Sequence, residues 1–388
     1  MEYEKEPTEE AGVESTPALV DEIAALGGPA SFAQVDLGAL PEIQQLIELR
    51  AVLEPQSIVD SSGVFFADHA RVDRFLRLSG FDTDNTLDLQ RLGELHHEAI
   101  TYLAETHGYR IPEQVQYPER IHDVFLVASQ GAGRARLMAC MALKVMHILH
   151  HVDVRQFAYN TVLSEAQIFT RTNSRVFDVI DAMRASGIRV SEFTAGQKSR
   201  ESITTKLLAK KEALATQLFD RLRFRVVVEE HSDLVPAILY LLRNLFPFNY
   251  IVPGQSQNGL IRAEDLAVAL NLSVDTVNQF FQPRNADIQN EELPATPPNE
   301  FSGKNFHCVN FVARIPLRID DMVSDGGPAV VFAETEIQLV DQKTHHTNNE
   351  GDSAHGIYKE RQSRKVRQRL QGSNHQVLSE LRSGKEGD

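Results

Sequence analysis

Cysteine is nearly missing: 388 residues contain two, Cys140 and Cys308, both inside apolar runs. That scarcity excludes disulfide stapling and a cysteine-built metal site, and a reducing, cytoplasmic setting is expected. Positive charge is also short. The formal net charge of −15 argues against a general nucleic-acid coat or a membrane-surface binder. The N-terminus lacks a basic leader followed by an apolar core, so no secretory signal is expected there. The most apolar stretch, LMACMALKVMHIL, is broken by Lys144 and His147 and is too short to span a bilayer. No membrane partner is expected, and no repeat period is evident.

What is present has room for two domains. Residues 1–40 are acidic, with Glu2, Glu4, Glu6, Glu9, Glu10, Glu14, Asp21 and Glu22 set against one lysine in the first 22. They read as a largely disordered arm. Residues 41–190 read as a helical domain, since EIQQLIELRAVL, ADHARVDRFLRLSG and LQRLGELHHEAITYLAETHG carry apolar residues three or four apart. ARLMACMALKVMHILHHVDV is apolar nearly all round and is expected as a buried central helix.

From about 191 to 360 the period changes. KSRESITTKLLAKKEALATQLF reads as a helix, RFRVVVEE as a strand and DLVPAILYLLRNLF as a helix; NFHCVNFVARIPL and VVFAETEIQLV read as strands. The fold class expected is α/β (α+β): an all-helical N-terminal domain, then a mixed sheet with flanking helices. An insertion at about 260–300 contains AEDLAVALNLSVDTVNQFF, where Ala267, Val277 and Phe280 have helix-turn-helix spacing. The segment that would read DNA has no Lys or Arg and carries Asp275, so a helical hairpin or lid is expected instead. Residues 361–388 form a basic helical tail. With Lys359, its Arg361, Arg364, Lys365, Arg367 and Arg369 make either a solvated charged face or a surface for RNA phosphates.

The residues with chemistry in them come in three groups. On a helix Ser199, Ser202 and Lys206 share a face that Lys210 extends, which suits phosphate oxygens or simply solvent. Asp220 stands at a helix-to-strand junction, and Arg223 and Arg225 alternate onto one side of the strand that follows. In VVFAETEIQLV, Glu334, Glu336 and Gln338 take one side while Ala333, Thr335, Ile337 and Leu339 take the other. Carboxylates on neighbouring strands, flanked by Lys and Arg, would hold Mg²⁺ and a polyphosphate; a solvated ion-pair cluster is the plainer alternative.

In order along the chain, KSRESITTK, FDRLRFRVVV and EIQLVDQKTHHTNNEGDSAHGIYK resemble the RelA/SpoT-like synthetase (pyrophosphokinase) domain. The pattern is a K-x-x-x-S-I-x-x-K helix, an Asp opening an R-V-V strand, and an E-I-Q strand. Glu336, Gln338, His345, Gly351, Ala354, His355, Tyr358 and Lys359 fall on it without a gap. FNYIVPGQSQNG is similar to a further segment, less closely, and the resemblance spans about 195–360. It implies a nucleotidyltransferase-like fold that transfers the β,γ-pyrophosphate of ATP to the ribose 3′-hydroxyl of GTP, GDP or another nucleotide. Asp220 and Glu336 would hold Mg²⁺, and Glu336 would engage the acceptor hydroxyl. Lys198, Lys206 and Arg225 would neutralise the triphosphate, with Ser202, Arg223 and Gln338 in the same site. His355 and Tyr358 would shape the site or pack behind it.

Two departures stand out. Gly196 occupies a position where the family has arginine, and Leu260 follows Asn258-Gly259 where the family has a base-stacking tyrosine; Gly303, the other candidate for that slot, is no aromatic either. Pyrophosphorylation of an RNA 3′ end, such as that of tRNA, and a catalytically degenerate nucleotide-binding protein are therefore the alternatives. A hydrolase in the helical half is not expected, because His122-Asp123 lacks the Glu-Asp pair that should follow, even with His97 nearby. His147, His150, His151 and Asp153 have metal-ligand spacing but read as partly buried helix residues.

Overall fold

The computed structural model describes residues 41–54, 64–161, 163–209, 222–281, 306–322, 330–350 and 355–371. The expected acidic arm, Lys210, Asp220, Gly303, Gly351, Ala354, the insertion beyond 281 and the tail beyond 371 lie outside them, as do the side chains of His355 and Tyr358.

The chain is mixed α/β, as its alternating patterns imply. Among the described residues five strands form one sheet: β1 (Val190–Gln197), β2 (Leu222–Val228), β3 (Gln257–Asn258), β4 (Val309–Arg318) and β5 (Val330–Asp341). Their order is β1-β2-β5-β4-β3. β2 and β5 run parallel, and every other pair is antiparallel. β1 and β3 were not expected. β1 is half exposed and its register shifts between Val190 and Glu192, so a clean period of two never develops.

One side of the sheet is apolar. Leu222, Phe224 and Val226 of β2, Phe311, Ala313 and Ile315 of β4, and Ala333, Ile337 and Leu339 of β5 are buried in the largest core cluster. Helix α1 (Pro41–Leu53) enters that core with Leu46 and Leu49. The connecting helices α2 (His69–Leu78), α3 (Thr86–Thr101), α4 (Ile121–Gln130) and α5 (Gly133–Asn160) form smaller clusters of their own around Leu76, Leu92, Phe125 and Met138. Helix α6 (Glu165–Ala185) returns to the sheet with Val176, Ile180 and Met183. The first and last helices of the helical half thus belong to the sheet's core. Helix α7 (Arg200–Ala209) links β1 toward β2, and α8 (Leu234–Asn244) is the most completely buried helix beneath the sheet. The insertion opens as a hairpin of α9 (Ala263–Leu270) and α10 (Val274–Phe281) turned at Asn271, and Ala267, Val277 and Phe280 pack inward. Helix α11 (Gln342–Asn349) follows β5, and α12 (His355–Gln371) packs on α7.

α5 has 28 residues and is longer than the apolar stretch within it. It is long and apolar enough to cross a membrane by length and composition alone; in this fold one side of it is occupied by α3, α4 and β5. The joint between α2–α5 and the sheet is close at Gly80, whose φ is +99° and where an added Cβ would stand 2.9 Å from a Val330 methyl. Arg318 donates to the Gly80 carbonyl at 2.9 Å, and the Tyr250 hydroxyl donates to the Ser79 carbonyl at 3.1 Å.

Candidate functional site on the polar side of the sheet

The other side of the sheet is polar because the same strands alternate. Parallel pairing sets Arg223 beside Glu336 and Arg225 beside Gln338. The Arg223 guanidinium grips the Glu336 carboxylate with two N–H donors, Nε at 2.6 Å and Nη2 at 3.2 Å. Arg225 donates to Gln338 Oε1 through Nε at 3.2 Å and Nη2 at 3.0 Å. Gln338 Nε2 then donates to Glu336 Oε1 at 3.2 Å, which joins the two rungs. Glu336 is 6% exposed, so its charge is held by neighbours rather than by water.

β4 and β1 extend the rungs on either side. Asn310 lies opposite Gln338, Val312 opposite Glu336 and Arg314 opposite Glu334, with Arg314 Nε donating to Glu334 at 3.4 Å. Gly196 lies opposite Arg223, and an added Cβ there would meet nothing within 4 Å. The end of β1 where Gln197 pairs with Leu222 hands the chain to Lys198 and α7. Ser199 opens α7 by accepting from the Ser202 backbone N–H at 3.2 Å, and its hydroxyl donates to Ser202 Oγ at 3.0 Å. Ser202 is exposed; Lys198 and Lys206 are half-buried, and each already has an interaction partner. Of the expected site residues, then, Arg223, Arg225, Glu336 and Gln338 form one bonded group. Lys198, Ser202 and Lys206 are carried on the segment leaving the neighbouring strand.

Burial, followed by the like charge of Arg223, lowers the Arg225 guanidinium from its ordinary value. Burial, reinforced by the Glu336 carboxylate, pushes the Cys308 thiol up to about 12. His345 on α11 is lowered by burial, against the pull of Glu192, to which its Nε2 lies at 3.7 Å. Two buried atoms near the rungs have no hydrogen-bond partner, Asn310 Oδ1 and His345 Nδ1. Asn310 and Glu192 carry no motif; the signal for Asn310 is its alternation with Arg314 on β4.

Among the described residues no group of three or more His, Cys, Asp or Glu side chains could hold a metal ion. Glu336 is a single carboxylate with both oxygens bonded to Arg223, so on its own it does not fit Mg²⁺. In the helical half, His69 Nε2 lies 2.8 Å from Asp123 while His122 lies 3.9 Å from Asp73. Asp73 is already held by Arg77 at 2.8 Å. His147, His150 and His151 pack against Tyr250 and Phe332.

No protein-family model matches the chain, and no curated protein matches it. Among solved structures it is similar to small alarmone synthetase 1 from Bacillus subtilis bound to its product pppGpp. That pair shares 13% identity and a TM-score of 0.26, over 55% of this chain and 90% of that one. A GTP pyrophosphokinase family protein from Streptococcus pneumoniae has 15% identity and a TM-score of 0.28 over 56% of this chain and 89% of its own. Small alarmone synthetase 2 from Bacillus subtilis has 12% identity and a TM-score of 0.30 over 58% and 99% respectively.

Proposed function

We propose that the polar side of the sheet transfers the β,γ-pyrophosphate of ATP to the ribose 3′-hydroxyl of an acceptor nucleotide such as GTP or GDP. The observation that carries this reading is the bonded group of Arg223, Glu336, Arg225 and Gln338 on two parallel strands, at the positions where the sequence resembles a pyrophosphokinase. Transfer of this kind asks the protein mainly to align two substrates and to neutralise phosphate charge.

Each side chain has work to do in that reaction. The Arg225 guanidinium, with Lys198 and Lys206 from the segment after β1, faces the triphosphate and draws charge off the oxygens of the migrating group. Gln338 holds Arg225 in orientation from behind. A carboxylate has about four acceptor positions. Glu336 uses three, for two Arg223 donors and Gln338, which leaves one for the acceptor 3′-hydroxyl. That oxygen attacks the β-phosphorus, the bond from the β-phosphorus to the α–β bridging oxygen breaks, AMP leaves, and the hydroxyl proton passes to the Glu336 side. Mg²⁺ belongs to the proposal as the counter-ion of the triphosphate, and Asp220, outside the described residues, is the carboxylate that would hold it.

A second reading, transfer to an RNA 3′ end, draws on α12: its basic residues sit on a helix packed against α7. Several are engaged locally, since Arg364 pairs with Glu360 at 3.2 Å and Arg369 donates to the Leu208 carbonyl. The nucleotide acceptor is therefore preferred.

The test incubates the full chain with Mg²⁺, ATP labelled at the γ-phosphate, and GDP, GTP, adenine nucleotides or bulk tRNA in separate reactions. Label on a mononucleotide with AMP release, lost in Asp220→Ala and Glu336→Gln, is the expected result. Label on tRNA alone would replace it with the second reading. No AMP with any acceptor would leave a nucleotide-binding protein without turnover.

A further inference from the structure

A groove of about 60 Å³ opens where α1, α2 and α8 meet. Its floor is hydrocarbon, with Ile47, Phe75, Leu78 and Phe248 each half-buried. One water takes roughly 10–15 Å³ on this measure, so the space suits one aliphatic side chain rather than a whole molecule.

The rim of the groove is positive. Arg71, Arg74 and Arg243 line it together with a single carboxylate, Glu48. Glu48 is buried and already engaged: Oε1 accepts from Gln44 at 3.0 Å, and Oε2 accepts from Arg243 Nε and Nη2, both at 3.1 Å. Arg71 and Arg74 are exposed on α2 and form no ion pair among the described residues. One turn further along the same helix, Arg77 is held by Asp73, Asp82 and Asp84 at 2.8 to 3.0 Å. In a chain of net charge −15, two guanidinium groups left without a carboxylate above an apolar floor form a surface complementary to an acidic, partly apolar segment.

The chain itself carries a segment of that chemistry. Residues 19–26, LVDEIAAL, set Asp21 and Glu22 among Leu19, Val20, Ile23 and Leu26. Residues 23–40 separate Glu22 from Pro41 and can span up to about 60 Å. Gln44, on the groove's rim, lies only about 5 Å along α1 from Pro41, so the groove is well within reach. We infer that residues 19–26 dock in this groove, with Asp21 and Glu22 pairing to Arg71 and Arg74 and one aliphatic side chain on the floor. A tethered segment acts at an effective concentration of about millimolar, which an acidic segment of another protein would have to match. A free inorganic anion loses its hydration on the hydrocarbon floor and gains nothing from it. Docked there, the segment ties α1 and α8, which belong to the sheet's core, to α2 of the helical cluster.

The test follows amide hydrogen exchange in the full chain by mass spectrometry, with circular dichroism as the check on folding. Amides of residues 19–26 should exchange at least about tenfold more slowly than in a synthetic peptide of the same sequence. Arg71→Glu with Arg74→Glu should abolish that protection, and so should Asp21→Arg with Glu22→Arg. All four changes together should restore it, which a mere loss of packing would not do. If the variant reversed in the groove fails to fold, the Asp21 and Glu22 variant and a salt titration of the unaltered chain still decide. Protection should fall as sodium chloride rises from about 50 mM to about 1 M. Exchange at the free-peptide rate in the unaltered chain would overturn the inference, as would protection indifferent to both reversals. Protection that grows with protein concentration would overturn it too, since the groove would then hold the segment of a second copy.

Discussion

The two sides of the sheet are made by the same strands and obey different rules. On β2, Leu222, Phe224 and Val226 go down into hydrocarbon, and Arg223 and Arg225 go up into a bonded polar group. The lower side is held by volume: its residues are interchangeable within limits of size and shape. The upper side is held by pairing, so each member depends on a named partner and deletion of one strands another. A region of the first kind sets stability; a region of the second kind is where chemistry is to be sought.

The largest effect should come from damage to the lower side. Phe224→Ala opens the core and should cost about 3–5 kcal/mol in chemical denaturation, with any loss of transfer following the loss of folded protein. Glu336→Gln breaks the comparison from the other direction. It keeps the shape and the bond to Gln338, and circular dichroism should show a folded chain whose pyrophosphate transfer has fallen by about 10²–10⁴-fold.

The third effect concerns the joint. Burial drives the histidines down, His147 to about 4, His150 to about 3 and His151 to about 2. The unfolded chain takes protons at these positions below about pH 6.5 while the folded chain does not. Their contribution is therefore complete above pH 6.5 and lost as pH falls from 6.5 toward 4, by about 1–4 kcal/mol per pH unit. Denaturation midpoints between pH 7 and 5 measure this, and His151→Phe should flatten the slope. Gly80→Ala, strained by its positive φ and crowded by Val330, should cost about 1–3 kcal/mol. The smallest effect is expected at Gly196, where there is open space beside Arg223. Gly196→Arg should change stability by no more than about 0.5 kcal/mol and, by adding a cation to the site, should lower the KM for ATP.

Much of this was legible in the sequence. Alternation alone put Arg223 with Arg225, and Glu336 with Gln338, on single sides of two strands. Which strand lies beside which is a tertiary matter, so the Arg223–Glu336 grip could not be read from spacing. Asn310 escaped notice for the same reason: its alternation with Arg314 marks the side of β4 it takes, but its place beside Gln338 follows from register. β1 was missed because a bulge spoils its period, and the assignment of α1 and α6 to the helical domain followed chain order, whereas Leu46 and Ile180 pack under the sheet.

The central claim, that the polar side of the sheet receives a nucleoside triphosphate, is tested most directly by a crystal structure with α,β-methylene ATP, whose α–β bridge cannot be cleaved. The account predicts the β- and γ-phosphates within about 3.2 Å of a guanidinium nitrogen of Arg225, with Glu336 still held by Arg223. A nucleotide bound elsewhere on the chain, or none bound at saturating concentration, would contradict it.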